Sequence, residues 1–162
     1  KELLRIKKQD ISFVSVMVKP SDEFLKRIGN LNFDYYQLYD VSPKRTGAIK
    51  KIKPIKIISA ITINEKKDVN NYRDYLNVSE IILFDGKGYE KSIGFQHSLL
   101  EDLPNNIEKM IAGDIKYNDN LDNFKKIANI IDLSGSLETG NNKDLKKIDI
   151  FLNNLKELNA EN

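Results

Sequence analysis

The sequence contains no cysteine and a single histidine, His97. Without cysteine there is no disulfide framework, and the expected location is the cytoplasm. Long apolar runs are equally scarce. Ile81-Ile82-Leu83-Phe84 is typical of them, far short of the roughly 20 residues a membrane helix needs, so no membrane-spanning segment is expected. The basic start is not followed by an apolar core, which argues against a signal peptide. Nor does one sign of charge prevail: 26 Lys and Arg stand against 24 Asp and Glu, a net +2, with the signs interspersed. That mixture excludes a dedicated nucleic-acid surface.

What is present is the material for a packed core. The chain has 162 residues, 40% of them hydrophobic and 31% charged, which predicts one globular domain over 1–162. It opens on Lys1 rather than Met, and Leu3, Leu4 and Ile6 give its first eight residues the pattern of the second half of an amphipathic helix. The sequence is therefore expected to begin inside an element.

β-rich runs cover 11–18, 35–38, 56–63, 80–84, 109–112 and 130–133, most of them largely apolar. Such strands are buried on both faces, as in a parallel sheet. Helical patterns follow them at 22–28, 43–53, 69–76, 96–100, 121–128 and 143–155. Strand starts recur about every 20 to 30 residues, the length of a βα unit, which makes six units and part of a preceding helix. A doubly wound open sheet would be complete at this size, whereas a (β/α)8 barrel usually needs roughly 250 residues and at least about 200. Length alone favours the open sheet.

The last three strand ends favour the barrel. Ile81-Ile82-Leu83-Phe84 ends in Asp85-Gly86, which puts a carboxylate at the C-terminal mouth, where barrel enzymes keep their chemistry. The next strand ends in Gly113-Asp114, and the last runs from Asp132 into Ser134-Gly135-Ser136. Small residues there let backbone N–H groups approach an anion, and barrels commonly bind phosphate at their last two strand loops.

Leu83-Phe84-Asp85-Gly86-Lys87, Ala112-Gly113, the segment from Asp132 through Ser134-Gly135-Ser136 to Thr139, and the segment from Lys143 to Ile148 together resemble phosphoribosylanthranilate isomerase, in that family's order and spacing. Tyr36-Gln37-Leu38-Tyr39 resembles the family's fourth-strand motif. The resemblance covers nearly the whole chain and implies a (β/α)8 TIM barrel, incomplete here, with strands three to eight present and the first two βα units upstream of Lys1. It implies an Amadori rearrangement of N-(5-phosphoribosyl)anthranilate to 1-(2-carboxyphenylamino)-1-deoxyribulose 5-phosphate in tryptophan biosynthesis. The substrate is a phosphorylated small molecule, and no cofactor or metal is implied.

In that reaction an acid protonates the ribose ring oxygen and a base removes the C2 proton. The resemblance makes Asp85 the acid, whose carboxyl then needs a raised pKa, and Gln37 and Asp132 substrate contacts. Phosphate falls to Gly113, Asp114, Ser134, Gly135 and Ser136. The family's base is a Cys on the first strand, and this sequence has none, so the chain on its own is expected to be inactive.

The chain departs from the family pattern in four places, one of them Phe95-Gln96-His97, where the family usually has Phe-Asp-Trp. The glycine-rich stretch after the sixth strand is reduced to Tyr89-Glu90-Lys91-Ser92-Ile93-Gly94-Phe95, Gly-Gly becomes Gly113-Asp114, and Ser-Ser-Gly becomes Ser134-Gly135-Ser136. A carboxylate aimed at phosphate would repel it, so the Asp114 side chain is expected to face elsewhere. Each site residue also has a simpler reading: Asp85-Gly86 as a turn, Ser134-Gly135-Ser136 as a loop, Asp132 as a strand-end brace, Gln37 as a satisfied polar residue within the barrel. His97 reads as a surface or capping residue, and Tyr35, Tyr36 and Tyr39 as packing. Two alternatives stay open: another ribulose-phosphate-binding barrel isomerase or lyase, and a non-catalytic phosphate-binding fragment.

Overall fold

The computed structural model describes residues 11–86 and 94–160. The expected helix at the start and most of the shortened stretch after Asp85 lie outside the described residues. Two compact units divide the chain: Lys1–Ile61 with Asn70–Leu83, and Thr62–Val69 with Phe84–Asn162. The division falls within two strands, β3 (Lys56–Thr62) and β4 (Ile81–Asp85).

In the first unit, β1 (Val14–Val18), β2 (Tyr35–Tyr39) and β3 alternate with helices α1 (Asp22–Ile28) and α2 (Pro43–Ile52). Both helices start where the sequence supplies a cap. Ser21 accepts from the Phe24 N–H and Ser42 from the Arg45 N–H, and Pro43 occupies the first turn, where its missing N–H costs nothing. The strands pair in parallel, with Val16 beside Gln37 and Gln37 beside Ile58. Period-two alternation sends Met17, Tyr36, Leu38 and Ile57 into one cluster with Leu25 and Ile28 of α1 and Ile49 of α2.

One expectation fails for β1. Met17 is buried, but Val14, Val16 and Val18 are 37%, 59% and 39% exposed. The cause is position: among the described residues the strand order is β1-β2-β3-β4-β5-β6, so β1 has a neighbour on one side only. That same order, sequential and without reversal, removes the doubly wound alternative.

In the second unit, β4 is followed by a 3-10 turn (His97–Leu100), β5 (Lys109–Ile111), α3 (Asp122–Lys125), β6 (Ile130–Ile131), a 3-10 turn (Gly135–Leu137), strands β7 (Glu138–Thr139) and β8 (Asn142–Lys143), and α4 (Leu145–Ala160). β7 and β8 form an antiparallel hairpin where the sequence had suggested the start of a helix. Its turn is set by Gly140 and Asn141, at φ +57° and +62°. Two consecutive left-handed residues match the right-handed twist of the flanking strands. The helix therefore starts later, with the Asp144 carboxylate accepting from the N–H groups of Lys146 and Lys147.

The pattern at 69–76 is realised as a 3-10 stretch, Lys66–Tyr75, rather than an α-helix. Val69, Asn70, Asn71, Tyr72 and Asp74 all have modest helix propensity, and the Asp68 carboxylate binds the N–H groups of Asn64 and Glu65 to tighten the entry. No helix of the described residues is long and apolar enough to cross a membrane.

Candidate active site

Three consecutive strands of the second unit carry candidate residues at their C-terminal ends. β4 is fully buried and closes on Asp85, which is 8% exposed. Beyond it, Ala112 donates its N–H to the Phe84 carbonyl at 3.0 Å, which seats the end of β5 beside Asp85. β5 and β6 pair in parallel with Ile111 beside Ile131, and Asp132 donates its N–H to the Ile111 carbonyl at 2.8 Å. Asp85, Gly113 and Asp132 thus leave adjacent parallel strands at one edge. The Asp85 backbone is fixed on its other side, where its carbonyl accepts from the Ile63 N–H at 2.8 Å.

The turn after β5 is shaped by two left-handed residues, Gly113 at φ +89° and Asp114 at φ +53°. Glycine reaches that region freely, and Asp tolerates it better than most residues. The Asp114 carboxylate is exposed and paired with the Lys116 ammonium, which answers where this charge goes. The hydrogen bond from Lys116, and then its charge, hold the Asp114 carboxyl below the usual range; Asp114 in turn raises the Lys116 ammonium. The carboxylate is neutralised within its own turn.

The turn after β6 is anchored from outside. The Ser134 carbonyl accepts from the Leu137 N–H at 3.2 Å and from the Lys143 ammonium at 3.0 Å. Lys143 also pairs with Glu138 at 2.7 Å, while Lys147 reaches the Glu138 carbonyl at 2.5 Å. Nothing stands within 4 Å of where a Cβ on Gly135 would be, whereas the Ser136 hydroxyl oxygen is buried and unpartnered among the described residues. The roles of Lys116, Lys143 and Lys147 were not read from the sequence. The Asp114-x-Lys116 spacing was a visible signal; the other two depend on a hairpin that short-range patterns did not announce.

Gln37 belongs to the first unit, where it is 5% exposed and donates to the Tyr39 hydroxyl at 3.3 Å. Tyr36 and Tyr39 are buried, in keeping with packing. His97 departs from the surface or capping reading. Its ring stands edge-on to Phe95 and Phe124, at centroid distances of 4.8 and 5.5 Å, and its Nε2 is buried. The residue as a whole is half-buried, with the ring packed between two aromatic side chains.

Comparison with known proteins accords with this arrangement. The N-(5'phosphoribosyl)anthranilate (PRA) isomerase family matches residues 2–154. The N-(5'-phosphoribosyl)anthranilate isomerase of Methanococcus aeolicus is 32% identical over 173 residues, covering 96% of this chain and 79% of that protein. The phosphoribosyl anthranilate isomerase structure from Thermotoga maritima superposes with a TM-score of 0.82 at 18% identity, over 96% of this chain and 78% of that one. Another, solved with reduced 1-(O-carboxyphenylamino)-1-deoxyribulose 5-phosphate, gives a TM-score of 0.79 at 17% identity, over 96% and 77%. Those superpositions identify a TIM-barrel-type α/β fold. By the span of the family match and the identity to its archaeal relative, this chain belongs to the N-(5'-phosphoribosyl)anthranilate isomerase family.

Proposed function

We propose that Asp85 is the general acid of an Amadori rearrangement and that the turns after β5 and β6 hold the substrate phosphate. The family activity is isomerisation of N-(5'-phosphoribosyl)anthranilate in tryptophan biosynthesis, and the match over residues 2–154 favours it over the other phosphate-binding barrels. A related structure was solved with a phosphorylated ribulose compound. One observation carries the assignment of roles: a buried carboxyl ends β4 beside β5, whose end bears Gly113, and β5 in turn pairs with β6, whose end bears Asp132.

The chemistry follows from that edge. Transfer of the Asp85 proton to the ribose ring oxygen lets the C1–O bond break, and the nitrogen lone pair forms an iminium at C1. Loss of the C2 proton to a base, by the family resemblance a first-strand Cys that this sequence does not contain, gives an enolamine, which tautomerises to the ketose. Phosphate is received by backbone N–H groups of Gly113, Asp114, Gly135 and Ser136, with the Ser134 and Ser136 hydroxyls as further donors. Asp132 is placed for a ribose hydroxyl. Gln37 is a substrate contact on the strength of its motif.

Replacing Asp85 by Asn in the full-length protein that carries the Cys base tests the central role, and that same protein is the parent enzyme in every kinetic comparison. An amide of the same shape cannot supply a proton, so kcat should fall by about 10²- to 10⁴-fold while KM changes little. Turnover near that of the parent enzyme would remove Asp85 from the acid's role.

A further inference from the structure

A cavity lies in the first unit, between α1, α2 and the start of β2. It has a volume of about 260 Å³, and Leu25, Lys26, Asn30, Tyr36, Ile49 and Lys53 are among the residues that line it. Its lining residues are mostly apolar and include two lysines and no acidic residue. A cavity of about 150 Å³ is enough to hold benzene, so this one has room for a ring with a small polar group.

Two polar atoms here have unused capacity. Tyr36 is 1% exposed, and its hydroxyl oxygen is buried without a partner among the described residues. Such a group is costly to bury unless something satisfies it. Lys53 donates to the carbonyls of Gly29 at 2.7 Å and Leu31 at 3.1 Å, which uses two of the three N–H bonds of its ammonium. That ammonium lies 5.9 Å from the centroid of the Tyr36 ring. An unpartnered phenol hydroxyl and a cation with one N–H to spare thus belong to two residues that line the same mostly apolar cavity.

We propose that this cavity is a binding site for a small ring-bearing carboxylate, its ring against Leu25 and Ile49 and its carboxylate accepting from the Tyr36 hydroxyl and the third N–H of Lys53. A carboxylate matches because it is acceptor-only and carries the charge opposite to Lys26 and Lys53. The site is distinct from the Asp85 edge, which belongs to the other unit.

Titration of the 15N-labelled protein with benzoate tests the site, with benzyl alcohol as the uncharged comparison. Benzoate should produce saturable shifts in the amides around Leu25, Asn30, Tyr36 and Lys53. Benzyl alcohol should bind at least tenfold more weakly. Tyr36→Phe keeps the ring in place and should weaken benzoate at least tenfold without loss of the folded spectrum; Lys53→Met gives an independent check from the cationic side. Absence of saturable shifts at roughly 10 mM, where a 1 mM Kd would be nearly saturated, would overturn the proposal. So would binding by both Tyr36→Phe and Lys53→Met as tight as that of the parent protein, or shifts confined to the residues around Asp85 and Gly113.

Discussion

Gly94 stands so close to Asp114 that a Cβ on it would lie 2.5 Å from the Asp114 Cβ. Carbon atoms do not approach to that distance, so only glycine lets residue 94 press against the turn after β5. Gly94→Ala must displace that turn or itself. We expect it to raise KM for the phosphorylated substrate severalfold and to lower stability by about 1–3 kcal/mol, the usual cost of overpacking. Steady-state kinetics beside a urea titration measures both, and an unchanged KM would separate the turn from phosphate binding.

Lys116 neutralises the one acidic side chain of the proposed phosphate turn. Lys116→Met leaves the Asp114 carboxylate uncompensated near an incoming dianion, so KM should rise severalfold, with kcat largely kept. Asp114→Asn on top of Lys116→Met should restore it. Both groups are exposed, so the Lys116→Met defect should shrink as salt rises and screens the repulsion. A defect insensitive to ionic strength would point to altered backbone shape instead.

Glu80 couples the first unit to pH. Its carboxylate accepts from the Ile57 N–H at 2.7 Å and pairs with Lys50. Burial pushes its carboxyl up, but the hydrogen bonds from Lys50 and Ile57 together with the Lys50 charge outweigh this and hold it below its usual value. A lowered carboxyl favours folding above the ordinary carboxylate range, and the contribution is lost as pH falls through the lowered value. Glu80→Gln should therefore reduce the urea midpoint at about pH 7, with the gap to the parent protein narrowing as pH falls through the acid range. A gap that does not change with pH would show that charge is not what Glu80 contributes.

Much of this was legible in the residues themselves. Ser21 and Ser42 mark helix starts, and the β-rich runs 35–38, 56–63 and 80–84 mark β2, β3 and β4 within one position of where they lie. Asp85 was legible because a carboxylate and a glycine directly follow a fully apolar strand. The exposed face of β1 was not, because Val14, Val16 and Val18 look the same whether a neighbouring strand or solvent covers them. His97 was misread because burial came from Phe124, distant in sequence. The β7–β8 hairpin was hidden because each strand is two residues long, too short for alternation to register.

That hairpin has a consequence for the site. Gly140 and Asn141 turn the chain so that Lys143 returns to the Ser134 carbonyl at 3.0 Å, while its ammonium also pairs with Glu138. Lys143 thus closes the segment containing Gly135 and Ser136 at both ends without contacting where phosphate would sit, which makes it a positioning residue. Lys143→Met should loosen the segment and raise KM severalfold, because the ordering then has to be supplied when substrate binds. The effect on kcat should be small, since Asp85 lies on another strand. Lys143→Arg retains a cation of similar reach and should recover most of the affinity. A purely structural role would lower the unfolding midpoint while leaving KM alone, and equal KM values for the parent, Met and Arg enzymes would rule out the bracing role.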